Sequence, residues 1–417
     1  MTRISAADGQ AGLFDRLHSG SPSKEDLRKA AQLAVEVEFT TIPAYLTALY
    51  SMSQTDNFAY QALRSVAMEE MFHVNQAANI LVALGGKPRF TGKHAPKYPC
   101  YLPHANPETT PLVGLCRASP QVFGSMFAAI ETPAEAGAPP QGDNYDTIGQ
   151  LYDALTTAVA AYPGNPFEAD PATGRQRTDI YLGKFGGNVV KVTDKDTALQ
   201  AVNEIVKQGE GTVPATAPLI PLEQFGTYNQ YGQRTDGTYG PIMGTPYEMS
   251  HFIKFRKVSL DTAAFPATLP IVSNGRIEEY TNPEAAAKAV LFDKHYSVML
   301  HALELCFEPP SRHNPVDPYF GVVLNLMHKV LPNLARALVT TPANRGGNSS
   351  SGPNAAPTWT YQPKTGVKEL EVAIVEVMDT VRKGATDLAA RDAALAPLAA
   401  AFEGLKLITA NADELDL

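Results

Sequence analysis

Two short segments far apart in the chain repeat the phrase Glu-x-x-His, and each interrupts an apolar helical stripe. The first runs from Glu70 to His73 and the second from Glu248 to His251. Residues three apart lie on one face of a helix, so a carboxylate and an imidazole with this spacing can reach the same ion. Two such helices facing each other, with a further buried glutamate, predict a dimetal carboxylate site inside a helix bundle.

Helical registers separate the inward-facing carboxylates from the others. Glu38 continues an apolar line on the first long helix, whereas Glu36 falls among polar residues. On the next helix Glu70 and His73 occupy core positions of an apolar stripe, and the neighbouring positions of this stripe hold no basic residue. Glu69 lies off the stripe. Because burying an unpaired carboxylate costs several kcal/mol, a divalent metal ion is the expected partner, although an Arg or Lys could neutralise the charge instead.

A further carboxylate is needed to balance two divalent ions, and two candidates remain open. Glu210 extends an apolar line just beyond Gly209, and we prefer it. Glu131, at the end of a short apolar run, is the alternative. Tyr45 lies on the Glu38 stripe, where we expect it either to pack or to hydrogen-bond near the site. The full set of candidate metal ligands is Glu38, Glu70, His73, Glu131, Glu210, Glu248 and His251.

Apolar periodicity and capping signals predict an all-α chain. The helices are expected at about 24–52, 57–84, 118–131, 144–162, 195–208, 245–260, 283–307, 317–340, 366–383 and 388–403. Ser23 is a candidate N-cap, and Pro43 should kink its helix without ending it. We expect the loops 86–116 and 211–243 to shape a substrate pocket and 341–364 to be exposed. The metal-binding bundle should span 1–262, with a C-terminal helical part at 263–417 packed on it.

Charge and composition exclude several classes of partner. A formal net charge of −9 and a pI near 5.5, without basic runs, argue against nucleic acid and anionic membranes. No apolar run approaches the roughly 18 residues of a membrane span, and the first residues lack the apolar stretch of a secretion signal. We therefore expect a cytoplasmic protein with a small-molecule partner. The oligomeric state stays open, homo-oligomer included.

Longer motifs in the chain resemble the ferritin-like domain of the iminophenylpyruvate dimer synthase family. They are Glu38-Phe-Thr-Thr-Ile-Pro-Ala-Tyr-Leu-Thr-Ala-Leu-Tyr-Ser51, Glu69-Glu70-Met-Phe-His73, Gly85-Gly86-Lys-Pro88, Ile130-Glu131-Thr-Pro133, Gln208-Gly-Glu-Gly211 and Glu248-Met-Ser-His251-Phe-Ile-Lys-Phe255. The resemblance implies a ferritin-like four-helix bundle, elaborated with long irregular loops and additional C-terminal helices. It also implies metal-ligand positions at the residues named above. Members of this family couple two tryptophan-derived imines in bisindole pathways, and we expect this chain to be a stand-alone member.

These observations together predict a non-haem dimetal oxidoreductase. Two iron ions are expected, with manganese and a single ion as alternatives, and dioxygen or peroxide as the oxidant. The substrate would be a small organic molecule of secondary metabolism, amino-acid-derived according to the resemblance. The competing hypothesis is a structural or storage-type metal site without catalysis. A scaffold that has lost its metal is disfavoured by the complete ligand phrases.

Overall fold

The fold is all-helical in a computed structural model, which describes residues 12–133, 144–179, 188–209, 249–309, 319–363, 365–384 and 387–409. The helices are α1 (Leu13–Leu17), α2 (Lys24–Ser51), α3 (Phe58–Ala83), α4 (120–130), α5 (Ile148–Ala161), α6 (Lys195–Gly209), α7 (His251–Leu260), α8 (Pro283–Leu305), α9 (319–339), α10 (Val367–Gly384) and α11 (Leu388–Thr409). Two of them contain a π-helical segment, at Phe123–Phe127 in α4 and at Leu326–Val330 in α9.

The long helices α2 and α3 begin and end as their sequences predict. The Ser23 hydroxyl accepts the backbone N–H of Asp26, and the Asp26 carboxylate accepts the N–H of Ser23, which completes a capping box. Helix α2 continues through Pro43. Helix α3 is capped by the Asn57 side chain, and the chain leaves it at Gly85, whose φ of +78° favours glycine.

Six helices pack into the part of the protein that holds the candidate ligands. A short turn at 52–57 makes α2 and α3 antiparallel neighbours. Helix α5 packs against α2, helix α6 packs against α3, and α5 and α6 contact each other, which produces a four-helix bundle. Helix α7 packs against α3 and α4. The described connection at 84–119, between α3 and α4, contains only one short 3-10 turn at Gly92–His94, which agrees with the predicted bundle with loops.

The additional C-terminal helices pack on one another and on the bundle. Helix α8 contacts α9 and α10, helix α11 contacts α9 and α10, and the last part of α9 reaches α2. The boundary between residues 262 and 263 stays a prediction. Among the described residues, no helix combines the length and apolar character that crossing a bilayer requires.

The prediction that 341–364 forms an exposed loop is wrong for its second half. Asn354, Ala355 and Trp359 are buried, and the Trp359 indole N–H donates to the Thr47 hydroxyl of α2. Polar composition suggested a surface loop, but this stretch carries the single tryptophan, whose burial against α2 and α8 outweighs that signal. The segment therefore joins the C-terminal part to the bundle.

Asp293 on α8 anchors this same segment. Its buried carboxylate accepts hydrogen bonds from the Thr358 hydroxyl (2.7 Å) and the Thr360 backbone N–H (3.0 Å). Burial raises the pKa of Asp293 from 3.8 to about 7, because the hydrogen bonds only partly offset the loss of hydration. Between these two pH values the folded chain holds a proton that the unfolded chain has released.

We expect this proton to make the free energy of unfolding fall as pH rises from about 4 to about 7. Asp293→Asn should remove this pH dependence, in which the free energy of unfolding changes by about 1.4 kcal/mol per pH unit in that range. Urea unfolding of the wild type and the variant at several pH values isolates this contribution as their difference. Parallel pH profiles for the two proteins would show that Asp293 does not carry it.

Candidate metal centre

Five of the predicted ligands converge in the interior around Glu70. The Glu70 Oε1 atom lies 2.9 Å from His251 Nδ1 and 3.7 Å from His73 Nδ1. Farther out, Glu38 Oε2 lies 3.3 Å from His73 Nδ1, and Glu131 Oε2 lies 3.6 Å from His251 Nδ1. None of the five residues is more than 2% exposed. The cluster consists of two Glu–His pairs, each within reach of the shared Glu70.

Two tyrosines hold the outer carboxylates in matching ways. The Tyr152 hydroxyl donates to Glu38 Oε1, and the Tyr45 hydroxyl donates to Glu131 Oε1, both at 2.6 Å. Burial, together with the neighbouring carboxylates, raises the pKa of each tyrosine well above its ordinary value, so both remain protonated donors. Each outer carboxylate therefore has one oxygen fixed by a tyrosine and the other turned toward a histidine.

The two imidazoles are oriented by acceptors on their far sides. His251 Nε2 lies 2.7 Å from Glu69 Oε2, and His73 Nε2 lies 3.0 Å from the Gln208 side-chain oxygen. Because these oxygens accept hydrogen bonds, Nε2 carries the proton in both rings. A metal-binding histidine is held in the same way, with its remaining N–H donated to a carboxylate or amide oxygen. In each ring Nδ1 is then the nitrogen that faces Glu70.

Burial and the closeness of three carboxylates favour the binding of protons or cations at the cluster. Burial, followed by repulsion from Glu131 and Glu38, raises the pKa of Glu70 to about 8. Burial alone would lower the pKa of His251, but the surrounding carboxylates, Glu131 foremost, raise it well above its ordinary value. Without another cation the cluster retains protons to balance its carboxylates. Divalent ions would compete with those protons for the same donor atoms.

The donor set fits a metal ion. Two atoms bound to one ion at about 2.1 Å each can be at most about 4.2 Å apart, and every Glu–His separation in the cluster satisfies this limit. His251 Nδ1 is buried and makes no hydrogen bond within the described part of the chain, despite its closeness to Glu70. A void of about 10 Å³ beside Glu38, His73 and Glu131 offers space on the scale of one ion or water.

The choice between Glu131 and Glu210 as the further carboxylate stays a prediction. Glu131 lies in the cluster at the end of α4, whereas Glu210 and Glu248 lie outside the described residues. Gly209, just before Glu210, contacts the cluster, because a side chain there would begin 3.5 Å from Glu131 Oε2.

The predicted start of the second Glu-x-x-His helix is wrong. Helix α7 begins at His251, and Ser250 is its N-cap, with extended backbone and a side chain that accepts the Ile253 N–H. The expectation of a helix from about 245 followed apolar spacing and overlooked this serine, which competes for the first turn. His251 therefore enters the cluster from a helix N-terminus.

Glu69, Lys254, Tyr152 and Gln208 contribute to the site but were not identified from the sequence. Glu69 was placed off the inward stripe, yet it is 3% exposed and lies 2.9 Å from the Lys254 ammonium. It is buried because α7 packs on α3 and brings His251 and Lys254 against it. A signal was present in Lys254, which follows His251 by three residues and so shares its helix face.

Comparison with known proteins agrees with this geometry. The family model described as ferritin-like matches residues 31–260, which include every candidate ligand. The chain belongs to the ferritin-like family. The predicted fold class is thereby confirmed, and members of such folds commonly bind metal between facing helices.

Two curated relatives match most of the chain at low identity. Dichlorochromopyrrolate synthase of Lentzea aerocolonigenes is 24% identical over 81% of this chain and 36% of its own length. The 2-imino-3-(indol-3-yl)propanoate dimerase of Chromobacterium violaceum is 22% identical over 81% of this chain and 34% of its own length. The chain thus spans about a third of each relative. These matches confirm the resemblance to bisindole-pathway enzymes.

A solved structure is also similar to this chain. It is a ferritin-like protein from Caulobacter vibrioides, with 21% identity and a TM-score of 0.46. The match covers 72% of this chain and 93% of that one.

The buried Glu69–Lys254 pair gives a test of how the site is supported. The Lys254 ammonium, with help from His251, outweighs burial and lowers the pKa of Glu69 to about 2. Lys254→Met should reduce the free energy of unfolding by about 3–5 kcal/mol, because it leaves a buried carboxylate without its cation. Adding Glu69→Gln should recover much of that loss, as measured by urea unfolding of both single variants and the double variant.

An exposed ion pair supplies the matched control. Lys406 lies 2.8 Å from Glu403 on α11 with both side chains largely exposed, so Lys406→Met should cost far less than Lys254→Met. Additive losses in the Glu69–Lys254 cycle would contradict the coupling between the two residues.

Proposed function

We propose that this protein is a non-haem di-iron oxidoreductase that acts on a small, amino-acid-derived organic substrate. Glu38 and His73 would hold one ion, Glu131 and His251 would hold the other, and Glu70 would be shared between them. Glu210 and Glu248 remain further candidate ligands. Manganese is the alternative metal.

The single observation that carries this proposal is the position of Glu70 between two matching Glu–His pairs. Its Oε1 atom is within reach of the Nδ1 atoms of both imidazoles, whose rings stack with centroids 5.2 Å apart. A site built for one ion needs only one such pair. The duplicated arrangement supports two ions sharing a carboxylate, as in other carboxylate-rich helix bundles.

Residues around such a centre would orient its ligands and exclude water from it. Two bound iron ions would supply redox chemistry with dioxygen or peroxide at coordination positions left open by the protein. Tyr45 and Tyr152 keep one oxygen of each outer carboxylate occupied, which fixes the oxygen offered to the ions. The Glu69–Lys254 pair orients His251 without adding net charge to the cluster. Complete burial excludes bulk water.

The substrate class follows from the relatives. One relative is named as a dimerase of 2-imino-3-(indol-3-yl)propanoate, an imine of an aromatic amino acid. We propose a substrate of similar chemistry for this chain, oxidised in secondary metabolism. The described residues of 86–116, expected to shape the pocket, line neither the void at the cluster nor the larger cavity described below.

Metal content tests the shared role of Glu70. Wild-type protein should bind about two metal ions per chain. His73→Ala and His251→Ala should each lose about one, because each removes a ligand from one half of the centre. Glu70→Gln should reduce binding in both halves. Elemental analysis by mass spectrometry after iron loading and desalting measures these differences.

The exposed His301 on α8 provides a control, since His301→Ala removes an imidazole outside the cluster and should leave the metal content unchanged. Circular dichroism checks that each variant remains folded. If Glu70→Gln retains as much metal as wild type, the bridging role is wrong.

A structural metal site is the second candidate, favoured by the complete burial of the donors and the small void beside them. Visible absorption separates the two functions. Iron-loaded protein, reduced without oxygen and then mixed with dioxygen, should change its spectrum if the centre is redox-active. An unchanged spectrum with retained metal would favour the structural site over the oxidoreductase.

A further inference from the structure

A large cavity lies on the other side of the α2–α3 hairpin from the metal cluster. Its volume is about 470 Å³, and its walls come mainly from α2, α3, α8 and α9, with contributions from Arg177 and Trp359. No residue of the metal cluster lines it, and it shares no lining residue with the void beside Glu38. Small-molecule sites in proteins typically have about 300–1,000 Å³, so the cavity is large enough for an organic ligand.

The walls of the cavity are mostly apolar and include aromatic and sulfur-containing side chains. Phe39, Phe320 and Trp359 contribute flat apolar surfaces, and Met68 and Met71 contribute flexible ones. Aromatic faces favour planar ligands, whereas methionines adapt to irregular shapes. A π-helical segment of α9 also borders the cavity, and such segments are frequent at functional sites.

Three buried polar atoms in this lining make no hydrogen bond in the described part of the chain. They are Gln61 Oε1, Asn75 Oδ1 and the Tyr296 hydroxyl, and each residue is at most 5% exposed. The amide orientations are set by their nitrogen atoms, because Gln61 donates to the Thr55 carbonyl and Asn75 donates to the Arg177 carbonyl. Two acceptors and a hydroxyl are therefore available to a ligand with N–H or O–H donors.

The charged residues of the lining are all of one sign. Arg64, Arg177 and Arg336 line the cavity together with His328, and its described lining contains no Asp or Glu. This bias is notable in a chain of net charge −9. The Arg177 guanidinium lies 4.6 Å from the centre of the Phe320 ring, which places positive charge against the aromatic wall. Its Nε atom also lies 3.2 Å from the exposed carboxylate of Asp179, outside the lining. Guanidinium groups favour carboxylates and similar planar anions.

We propose that this cavity is a second ligand site, specific for a planar aromatic anion that carries N–H or O–H donors. The aromatic and methionine walls bind the ring system, and the arginine side chains attract the anionic group. Gln61, Asn75 and Tyr296 supply hydrogen-bond partners for the donors. Binding does not require metal at the cluster, so this site goes beyond the proposed oxidoreductase function.

The probe for this site is 8-anilinonaphthalene-1-sulfonate, which combines fused rings, a secondary amine N–H and an anionic group. Fluorescence titration and calorimetry of the full chain should show one saturable site with a Kd on the order of micromolar. Leu303→Trp places a larger side chain in the cavity from α8 and should weaken binding at least about tenfold, because it removes ligand volume. Unsaturable binding, or equal affinity in this variant, would overturn the proposal.

A tyrosine pair tests the polar contacts. Tyr296→Phe removes a hydroxyl without a protein partner, so it should weaken probe binding about three- to tenfold without lowering the melting temperature. Tyr280→Phe is the matched control. The Tyr280 hydroxyl bonds to the Ala356 backbone outside the cavity, so this variant should melt at lower temperature but bind the probe unchanged. Equal affinities in both variants would contradict the role of Tyr296.

Two further measurements define the ligand class and the independence of the site. Laurate is an apolar anion without rings or N–H donors, and it should displace the probe only weakly; tight displacement would instead indicate a fatty-acid site. Glu70→Gln should bind the probe like wild type. A loss of probe binding in Glu70→Gln would overturn the separation of the two sites, whereas loss of metal alone leaves this proposal intact.

Discussion

The carboxylate of Glu70 lies in the protein interior, within reach of two imidazoles and close to two further carboxylates. Burial and like-charge repulsion both disfavour its ionisation. An arrangement of this kind persists in a folded protein only when other groups balance the charge. The packing of α2, α3, α4 and α7 around Glu70 meets this requirement, since each of these helices brings a donor or an acceptor to the same point.

The groups around the cluster balance the charge of Glu69 but not the charges of the carboxylates inside the cluster. Lys254 balances Glu69 directly, and the tyrosines donate hydrogen bonds without adding charge. The carboxylates of the cluster have no lysine or arginine partner among the described residues. Protons or metal ions must therefore supply the remaining positive charge. This division separates residues that orient the site from residues that could bind metal.

The α2–α3 hairpin separates two environments of opposite charge. The acidic cluster lies on one side of the hairpin. The cavity lies on the other side, and the charged residues that line it are arginines. Neighbours in sequence face different environments, as Glu70 and Met71 do on α3. One hairpin can therefore position a metal centre and an organic ligand site independently, because a helix offers separate faces every few residues.

The sequence by itself determined most of the helices and the inward direction of Glu38, Glu70 and His73, since both follow from apolar periodicity and capping within one segment. It also indicated Tyr45 and Glu131 as candidates. Only the tertiary structure decided which groups meet. Glu69 is buried because α7 packs on a second side of α3. His251 reaches the cluster from the N-terminus of α7, and Lys254 pairs with Glu69, which is distant from it in sequence. These contacts join residues distant in sequence, and local periodicity carries no information about which helices pack together.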